Sequence, residues 1–190
     1  MKRAIIVHGW GGYPEEGWFP WLKKELEKKG LEVFVPKMPD ADKPRIQKWV
    51  PKLAEIVGTP DKNTYFVGHS MGCQAIARYL QSLSEGIKVG GAVFVAGFFK
   101  RLTGMEPEEI ETRNHWLKAP LDLNKVKSHL QRSVAIFSDT DPYVPSDNQD
   151  DFRDKLKSEI IIKKGWKHFS GSEGIIEFPT ILEKILEMAK

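Results

Sequence analysis

Cysteine is almost absent from this chain, which has one, Cys73, among 190 residues. A single cysteine cannot form an intramolecular disulfide, and it excludes a zinc site built from several thiolates. Such sparing use of cysteine is typical of proteins in a reducing compartment. We therefore expect a cytoplasmic protein whose fold depends on a hydrophobic core.

Long hydrophobic runs are missing as well. The most apolar stretch, residues 92–99, is far shorter than the about 20 residues that a membrane-spanning helix needs. The apolar run near the N-terminus ends at His8, which is too early for the core of a secretory signal. We expect no transmembrane segment and no association with a membrane.

An excess of one charge is also lacking. The chain has 29 Lys and Arg against 26 Asp and Glu, a net charge of +3. The basic residues are scattered, and no aromatic RNA-binding motif accompanies them, so nucleic acid is not an expected partner.

Repeats, linkers and low-complexity segments are absent too, which predicts a single domain over residues 1–190. Short β-branched runs alternate with helical periodicities, which is typical of an α/β fold with a mostly parallel sheet and helices on both faces. The predicted strands are residues 4–7, 31–35, 64–67, 91–95, 133–137 and 159–162. One predicted helix carries Trp18 and stops at Gly30, and another follows Gly72. The remaining predicted helices are residues 45–57, 123–130, 147–157 and 178–188. In the first of these, Pro51 predicts an early boundary or a kink. Residues 98–120 show little periodicity and predict a loop or a small lid.

The strongest motif is Gly68-His69-Ser70-Met71-Gly72, a G-x-S-x-G pattern between a predicted strand and a predicted helix. A sharp turn at that place lifts the serine hydroxyl off the sheet, and glycines on either side allow strand and helix to approach closely. The helix N-terminus beneath the serine favours negative charge. This context predicts that Ser70 is a nucleophile rather than part of an ordinary glycine-rich turn.

A serine nucleophile needs a general base, and five histidines compete for that role. In folds with a G-x-S-x-G turn, the base follows both the serine and the acid in the chain. His8 and His69 precede the serine. His115 lies in the predicted lid and His129 at a helix end, where a solvated or capping role is expected. His168 lies between the last strand and the last helix, where the base of this fold belongs, and is therefore the predicted base.

The acid that orients the base is expected after the strand at residues 133–137. Asp139 and Asp141 both lie there, and either could instead form a turn with its own backbone. Sequence spacing does not separate them.

An oxyanion hole is the third requirement. One donor is expected to be the backbone N–H of Met71, directly after the nucleophile. The other is expected from the loop His8-Gly9-Trp10-Gly11-Gly12, with the Trp10 N–H as the best candidate. These glycines do not form the spacing of a phosphate-binding loop.

Taken together, these residues resemble the small α/β-hydrolase family of serine hydrolases that includes retinoblastoma-binding protein nine and bacterial YdeN. The resemblance covers essentially the full length and rests on His8-Gly9, Trp18, Trp21, Met38-Pro39-Asp40, the pentapeptide around Ser70, Asp141-Pro142-Tyr143-Val144-Pro145 and His168-Phe169. It implies a minimal α/β-hydrolase fold without a large cap. The family's acid precedes the proline, which implies Asp141 as the acid and a turn or supporting role for Asp139. One departure is Lys167, where the family usually has glycine just before the base.

The resulting hypothesis is a serine hydrolase that cleaves carboxylic esters, or related acyl bonds of small molecules, through a triad of Ser70, His168 and Asp141 and an acyl-enzyme. No metal or organic cofactor is expected, because the triad supplies both nucleophile and proton transfer. The alternatives are an amidase or peptidase with the same triad, and a non-catalytic protein-interaction module on this fold. The short segment at residues 98–120 predicts an open site for small acyl groups.

Several aromatic residues are candidates for an apolar acyl pocket, with core packing as the alternative for each of them. They are Trp10, Phe98, Phe99, Trp116 and Trp166.

Overall fold

A computed structural model describes all 190 residues and contains one six-stranded sheet. The strands are β1 (Arg3–Val7), β2 (Glu32–Phe34), β3 (Thr64–His69), β4 (Val89–Val95), β5 (Leu130–Ser138) and β6 (Glu159–Lys163). Their order across the sheet is β2-β1-β3-β4-β5-β6, and every neighbouring pair is parallel. The predicted α/β fold class is confirmed.

The chain contains six α-helices. They are α1 (Phe19–Lys28), α2 (Ile46–Val57), α3 (Met71–Ser82), α4 (Ile110–Leu117), α5 (Leu123–His129) and α6 (Pro179–Met188). Helices α2 and α5 both pack against α3, while α1 packs against α6, so that the sheet is covered on both faces. None of these helices is both long and apolar enough to cross a membrane.

The two central strands explain why the sequence showed continuous apolar runs rather than alternation. Every residue of β3 and of β4 is buried, because helices cover both faces of the sheet. In their register His69 pairs with Val95, so both strands end at the same edge. Loops that follow the carboxyl ends of parallel strands meet at that edge, which is where open α/β sheets bind ligands.

Three parts of the chain differ from the prediction. Helix α2 runs through Pro51, which lies on its exposed side, whereas Trp49 and Leu53 face the core, so no boundary occurs there. The segment 98–120 is more ordered than a loop, because it contains a 3₁₀ turn at Pro107–Glu109 followed by α4.

The predicted helix at 147–157 is instead a 3₁₀ turn at Ser146–Asn148 and a π-helical turn at Asp151–Lys155. The wider turn buries Phe152 and Leu156 together against the sheet, and the Leu156 N–H donates to the Asp151 carbonyl at 3.2 Å. The burial of these two side chains in the core therefore accounts for the departure from regular α-helical geometry.

Candidate active site

Ser70 occupies a sharp turn between β3 and α3. Its backbone has φ 50° and ψ −115°, an unusual conformation for a residue other than glycine. The Ser70 N–H donates to the carbonyl of Val95 at 2.8 Å, which ties the turn to the neighbouring strand. The strained turn is therefore held by the sheet.

The glycines of the motif allow helix α3 to pack closely against strands β1 and β3. A Cβ atom on Gly72 would collide with the carbonyl oxygen of Val7 in β1. A Cβ atom on Gly68 would lie 2.9 Å from the backbone nitrogen of Cys73. The spacing of this motif is thus a packing requirement at both ends of the turn.

The structure brings Ser70, His168 and Asp141 together in one chain of hydrogen bonds. The distance from His168 Nε2 to Ser70 Oγ is 3.0 Å. On the other side of the ring, His168 Nδ1 lies 2.9 Å from Asp141 Oδ2 and 3.1 Å from Oδ1. The side chain of Asp141 is 2% exposed and that of His168 is 14% exposed, so the pair is shielded but the ring still reaches the surface.

Asp141 is fixed by the loop that carries it. Its Oδ1 accepts hydrogen bonds from the backbone N–H groups of Tyr143 at 2.8 Å and Val144 at 3.0 Å. Because a carboxylate only accepts hydrogen bonds, His168 donates from Nδ1, and its Nε2 is left as an acceptor that faces the serine hydroxyl. This is the tautomer that a general base requires.

Asp139 lies nearby but does not contact His168. Its Oδ1 accepts a hydrogen bond from the backbone N–H of Gly165 at 2.8 Å, across to the loop that leads to the histidine. It therefore joins the loop that carries Asp141 to the loop that carries His168.

The loop after β1 runs directly beside the serine. A Cβ atom on Gly9 would lie 3.2 Å from the Cβ of Ser70. Trp10 and Met71 both line the cavity around Ser70. The Trp10 N–H has no acceptor within the protein, and Met71 is the first residue of α3, where N–H groups have no partner within the helix. Both predicted oxyanion donors thus adjoin the serine.

His8 has a structural role in this loop. Its ring is fully buried, with Nδ1 donating to the carbonyl of Gly9 at 2.8 Å and Nε2 accepting from the Met38 N–H at 3.0 Å. Burial lowers the pKa of His8, which favours the neutral ring. The ring thereby joins the loop after β1 to the segment after β2.

The two histidines that lie far from Ser70 also bond to backbone groups. His115 Nε2 accepts from the Ile46 N–H at 3.2 Å, at the N-terminus of α2. His129 Nδ1 donates to the Ile87 carbonyl at 2.7 Å. Neither belongs to the site around Ser70.

Comparison with known proteins decides the family. A sequence model of the serine hydrolase family matches residues 4–187. The chain belongs to the serine hydrolase family. YdeN of Bacillus subtilis (strain 168) is 29% identical over 182 residues, which is 96% of this chain and 93% of that protein. The serine hydrolase RBBP9 of Rattus norvegicus is 27% identical over 174 residues, covering 90% and 89% of the two chains.

Solved structures agree with this assignment. The crystal structure of the Bacillus subtilis ydeN gene product superposes with a TM-score of 0.90 at 28% identity, covering 99% of this chain and 98% of that one. Est1E of Butyrivibrio proteoclasticus, solved with ferulic acid, gives a TM-score of 0.75 at 15% identity, covering 98% and 87%. This second likeness shows the fold alone.

Lys167, the departure from the family pattern, has a backbone φ of 45°. Glycine adopts this left-handed conformation at little cost, whereas a lysine is strained in it. The next residue but one, Phe169, has φ 61°. The histidine of this serine hydrolase therefore lies between two strained residues.

The cavity around Ser70 has a volume of about 510 Å³. Its apolar lining comes from Trp10, Met71, Phe98, Leu102 and Met105. Three carboxylates, Asp42, Glu106 and Glu109, also line it, and none of them forms a salt bridge. No lysine or arginine lines it, so the cavity combines an apolar surface with negative charge.

Of the aromatic candidates for this pocket, only Trp10 and Phe98 line it. Phe99 stacks on Phe152 with ring centroids 4.5 Å apart. Trp116 is fully buried, and its indole N–H donates to the Pro44 carbonyl at 2.9 Å. Trp166 packs on Phe178. For these three residues the structure shows the alternative, packing against other parts of the protein, rather than a place in the pocket.

Two supporting residues were missed in the sequence. Asn148 is fully buried, and its Oδ1 accepts from the N–H groups of Phe99 and Lys100, both at 3.0 Å. Glu173 accepts from the N–H groups of His168 and Ser170, both at 3.0 Å. The spacing Ser-x-x-Glu from Ser170 is a capping-box signal that identifies Glu173, whereas nothing in the sequence identifies Asn148.

Proposed function

We propose that this serine hydrolase cleaves esters of small carboxylic acids through an acyl-enzyme on Ser70. The observation that carries the proposal is the continuous chain of hydrogen bonds from Ser70 Oγ to His168 Nε2 at 3.0 Å and from His168 Nδ1 to Asp141 Oδ2 at 2.9 Å. A hydroxyl becomes a useful nucleophile when a base accepts its proton during attack, and this base is already oriented by a buried carboxylate.

In the first half of the proposed reaction, Ser70 Oγ attacks the carbonyl carbon of the ester and its proton passes to His168 Nε2. The carbonyl oxygen becomes an oxyanion, which the N–H groups of Met71 and Trp10 stabilise. The intermediate then collapses, and the alcohol leaves with the proton from His168.

In the second half, a water molecule attacks the acyl-enzyme and gives its proton to His168. Collapse of this intermediate returns the proton to Ser70 Oγ and releases the carboxylic acid. Asp141 stays ionised throughout and stabilises the imidazolium ion that forms twice in the cycle.

The residues that line the cavity favour a substrate with a small and uncharged acyl group. Its apolar residues Phe98, Leu102 and Met105 suit a short hydrocarbon chain. Asp42 and Glu106, at the same cavity, repel an anionic substrate. Neutral esters of short acids are therefore the proposed substrate class.

The test is steady-state hydrolysis of p-nitrophenyl acetate, butyrate, octanoate and palmitate by the wild type and by Ser70→Ala. We expect kcat/KM to be highest for the two short esters and hydrolysis by Ser70→Ala to fall at least about 10⁴-fold in kcat. Ser84→Ala, which removes a hydroxyl at an exposed position remote from the cavity, is the matched control and should match the wild type. Activity that survives in Ser70→Ala would overturn the mechanism, and a maximum at palmitate would overturn the substrate class.

A further inference from the structure

Both backbone polar groups of His168 bond to side chains from other parts of the chain. Its carbonyl accepts a hydrogen bond from His69 Nε2 at 2.8 Å. Its N–H donates to Glu173 Oε2 at 3.0 Å. No regular helix or strand contains this residue, and these are the hydrogen bonds that its own backbone groups make.

The loop around His168 needs such external support. Lys167 and Phe169, on either side of it, have φ angles of 45° and 61°. For residues other than glycine, this left-handed conformation is less favourable than the right-handed region because the Cβ atom crowds the following carbonyl oxygen. The local chain therefore does not favour the conformation that points the imidazole at Ser70. Contacts from outside the loop must select it.

His69 is well placed to select it, because it is joined covalently to the nucleophile. It directly precedes Ser70 at the end of β3 and is 5% exposed. Its ring lies 6.1 Å from the rings of Trp18 and Phe19, which leave it little freedom to rotate. A bond from this ring to the backbone of His168 therefore relates the base directly to the nucleophile turn.

The electrostatics of His69 agree with that role. Burial, together with the neighbouring His168, lowers the pKa of His69 to about 3. At neutral pH the ring is uncharged, with the proton on Nε2, because Nε2 donates to a carbonyl. His69 thus supplies a donor without placing a second positive charge 5.0 Å from the ring of the base.

We propose that His69 is a positioning residue for the base: its Nε2–H holds the His168 carbonyl and so keeps the imidazole of His168 in line with Ser70 Oγ. This inference rests on the proposed function for its kinetic readout, but the geometry that it concerns can be observed without turnover. Misplacing a catalytic group by about 1 Å can cost about 10²-fold in rate.

Two variants separate the hydrogen bond from the bulk of the side chain. His69→Phe keeps a ring of similar size and removes the donor. His69→Gln carries an amide N–H at about the reach of Nε2 and restores the donor. With p-nitrophenyl acetate we expect His69→Phe to lower kcat about 10- to 100-fold with KM within about threefold of the wild type. We expect His69→Gln to recover kcat to within about fivefold. Equal loss in both variants, or no loss in His69→Phe, would overturn the proposal.

His129 provides a matched control. It is also a buried histidine that donates to a backbone carbonyl, that of Ile87, but it lies next to the start of β5, at the opposite edge of the sheet. His129→Phe should lower the free energy of unfolding without changing kcat. If it lowers kcat as much as His69→Phe does, the effect of His69→Phe is a general loss of stability and the proposal is wrong.

Proton NMR makes the proposal independent of turnover. The hydrogen-bonded Nδ1–H of His168 should give a downfield resonance, assigned by its absence in His168→Gln. We expect it in the wild type and in His69→Gln, and expect it broadened or lost in His69→Phe. If the wild type hydrolyses no ester, the proposed function fails while this comparison still tests the positioning role. An unchanged resonance in His69→Phe would contradict that role.

Discussion

Asp139 and Asp141 lie two residues apart in the loop after β5, yet their carboxylates hold different parts of the site. Asp141 Oδ2 is 2.9 Å from His168 Nδ1, while Asp139 Oδ1 accepts from the backbone N–H of Gly165 at 2.8 Å. The first bond acts on the imidazole itself and the second on the path of the loop that carries it. The two residues should therefore respond differently to the same substitution.

Asp141→Asn should lower kcat by about 10⁴-fold, because the amide no longer stabilises the imidazolium and favours the wrong tautomer of the base. Asp139→Asn should stay within about tenfold of the wild type, since an amide oxygen can still accept from the Gly165 N–H. The measurement is kcat with p-nitrophenyl acetate. The reverse order of losses would show that Asp139 is the acid.

Lys167→Gly should stabilise the protein. The left-handed conformation costs a lysine about 1–2 kcal/mol, while glycine loses about 0.5–1 kcal/mol more on folding through its greater freedom in the unfolded chain. The free energy of unfolding should therefore rise by about 0.5–1 kcal/mol in urea titrations. Lys164→Gly is the control, because Lys164 is exposed and not in the left-handed region, and it should be destabilising. Equal destabilisation by both would contradict the argument from strain.

Negative charge at the cavity should select against anionic esters. In a well-solvated site, each carboxylate within several ångströms of a negatively charged substrate group makes binding of that substrate less favourable by roughly 0.5–1 kcal/mol. We expect kcat/KM for p-nitrophenyl hemisuccinate to be roughly tenfold below that for p-nitrophenyl acetate at low salt, and the ratio to narrow at high salt. At low salt, the double variant Asp42→Asn/Glu106→Gln should show a smaller difference in kcat/KM between the two esters than the wild type does.

Glu108→Gln is the control for this charge effect, since Glu108 is exposed and does not line the cavity. It should leave the preference for the neutral ester unchanged. A hemisuccinate that is hydrolysed as well as the acetate by the wild type would contradict the proposed role of the carboxylates.

The buried ring of His69 should make stability depend on pH. Its folded-state pKa of about 3 lies below the ordinary value of 6.5, so below pH 6.5 the unfolded chain binds a proton that the folded protein does not. Stability from this group is complete above pH 6.5 and is lost as the pH falls toward 3, by up to about 1.4 kcal/mol per pH unit. Urea titrations between pH 7.5 and 4.5 should show a shallower decline in His69→Gln. Parallel declines in wild type and variant would contradict this assignment.

The fold was largely predictable from sequence, because a strand covered on both faces has continuous apolar residues such as those of β3 and β4. Helix α4 was not, because it buries only Thr112 and Trp116, and such a helix shows no apolar face in its sequence. The π-helical turn at Asp151–Lys155 was also missed, since it depends on core contacts that no local pattern records.

The candidate site, like the fold, was predictable from the sequence only in part. The turn at Ser70 has a local signature, and chain order together with loop position singled out His168 among the histidines as the predicted base. The choice of Asp141 over Asp139 came from the family resemblance, because both residues have the same local context. The bond from His69 to His168 spans 99 residues and depends on how β3 and the last loop meet, so sequence spacing could not reveal it.

Whether Ser70 is a nucleophile is tested most simply by intact-mass spectrometry after reaction with a fluorophosphonate, with Ser70→Ala and Ser84→Ala measured in parallel. We expect one adduct per chain in the wild type and in Ser84→Ala, located on the peptide that contains Ser70, and none in Ser70→Ala. Folded wild-type protein that forms no adduct, or an adduct that persists in Ser70→Ala, would contradict this expectation.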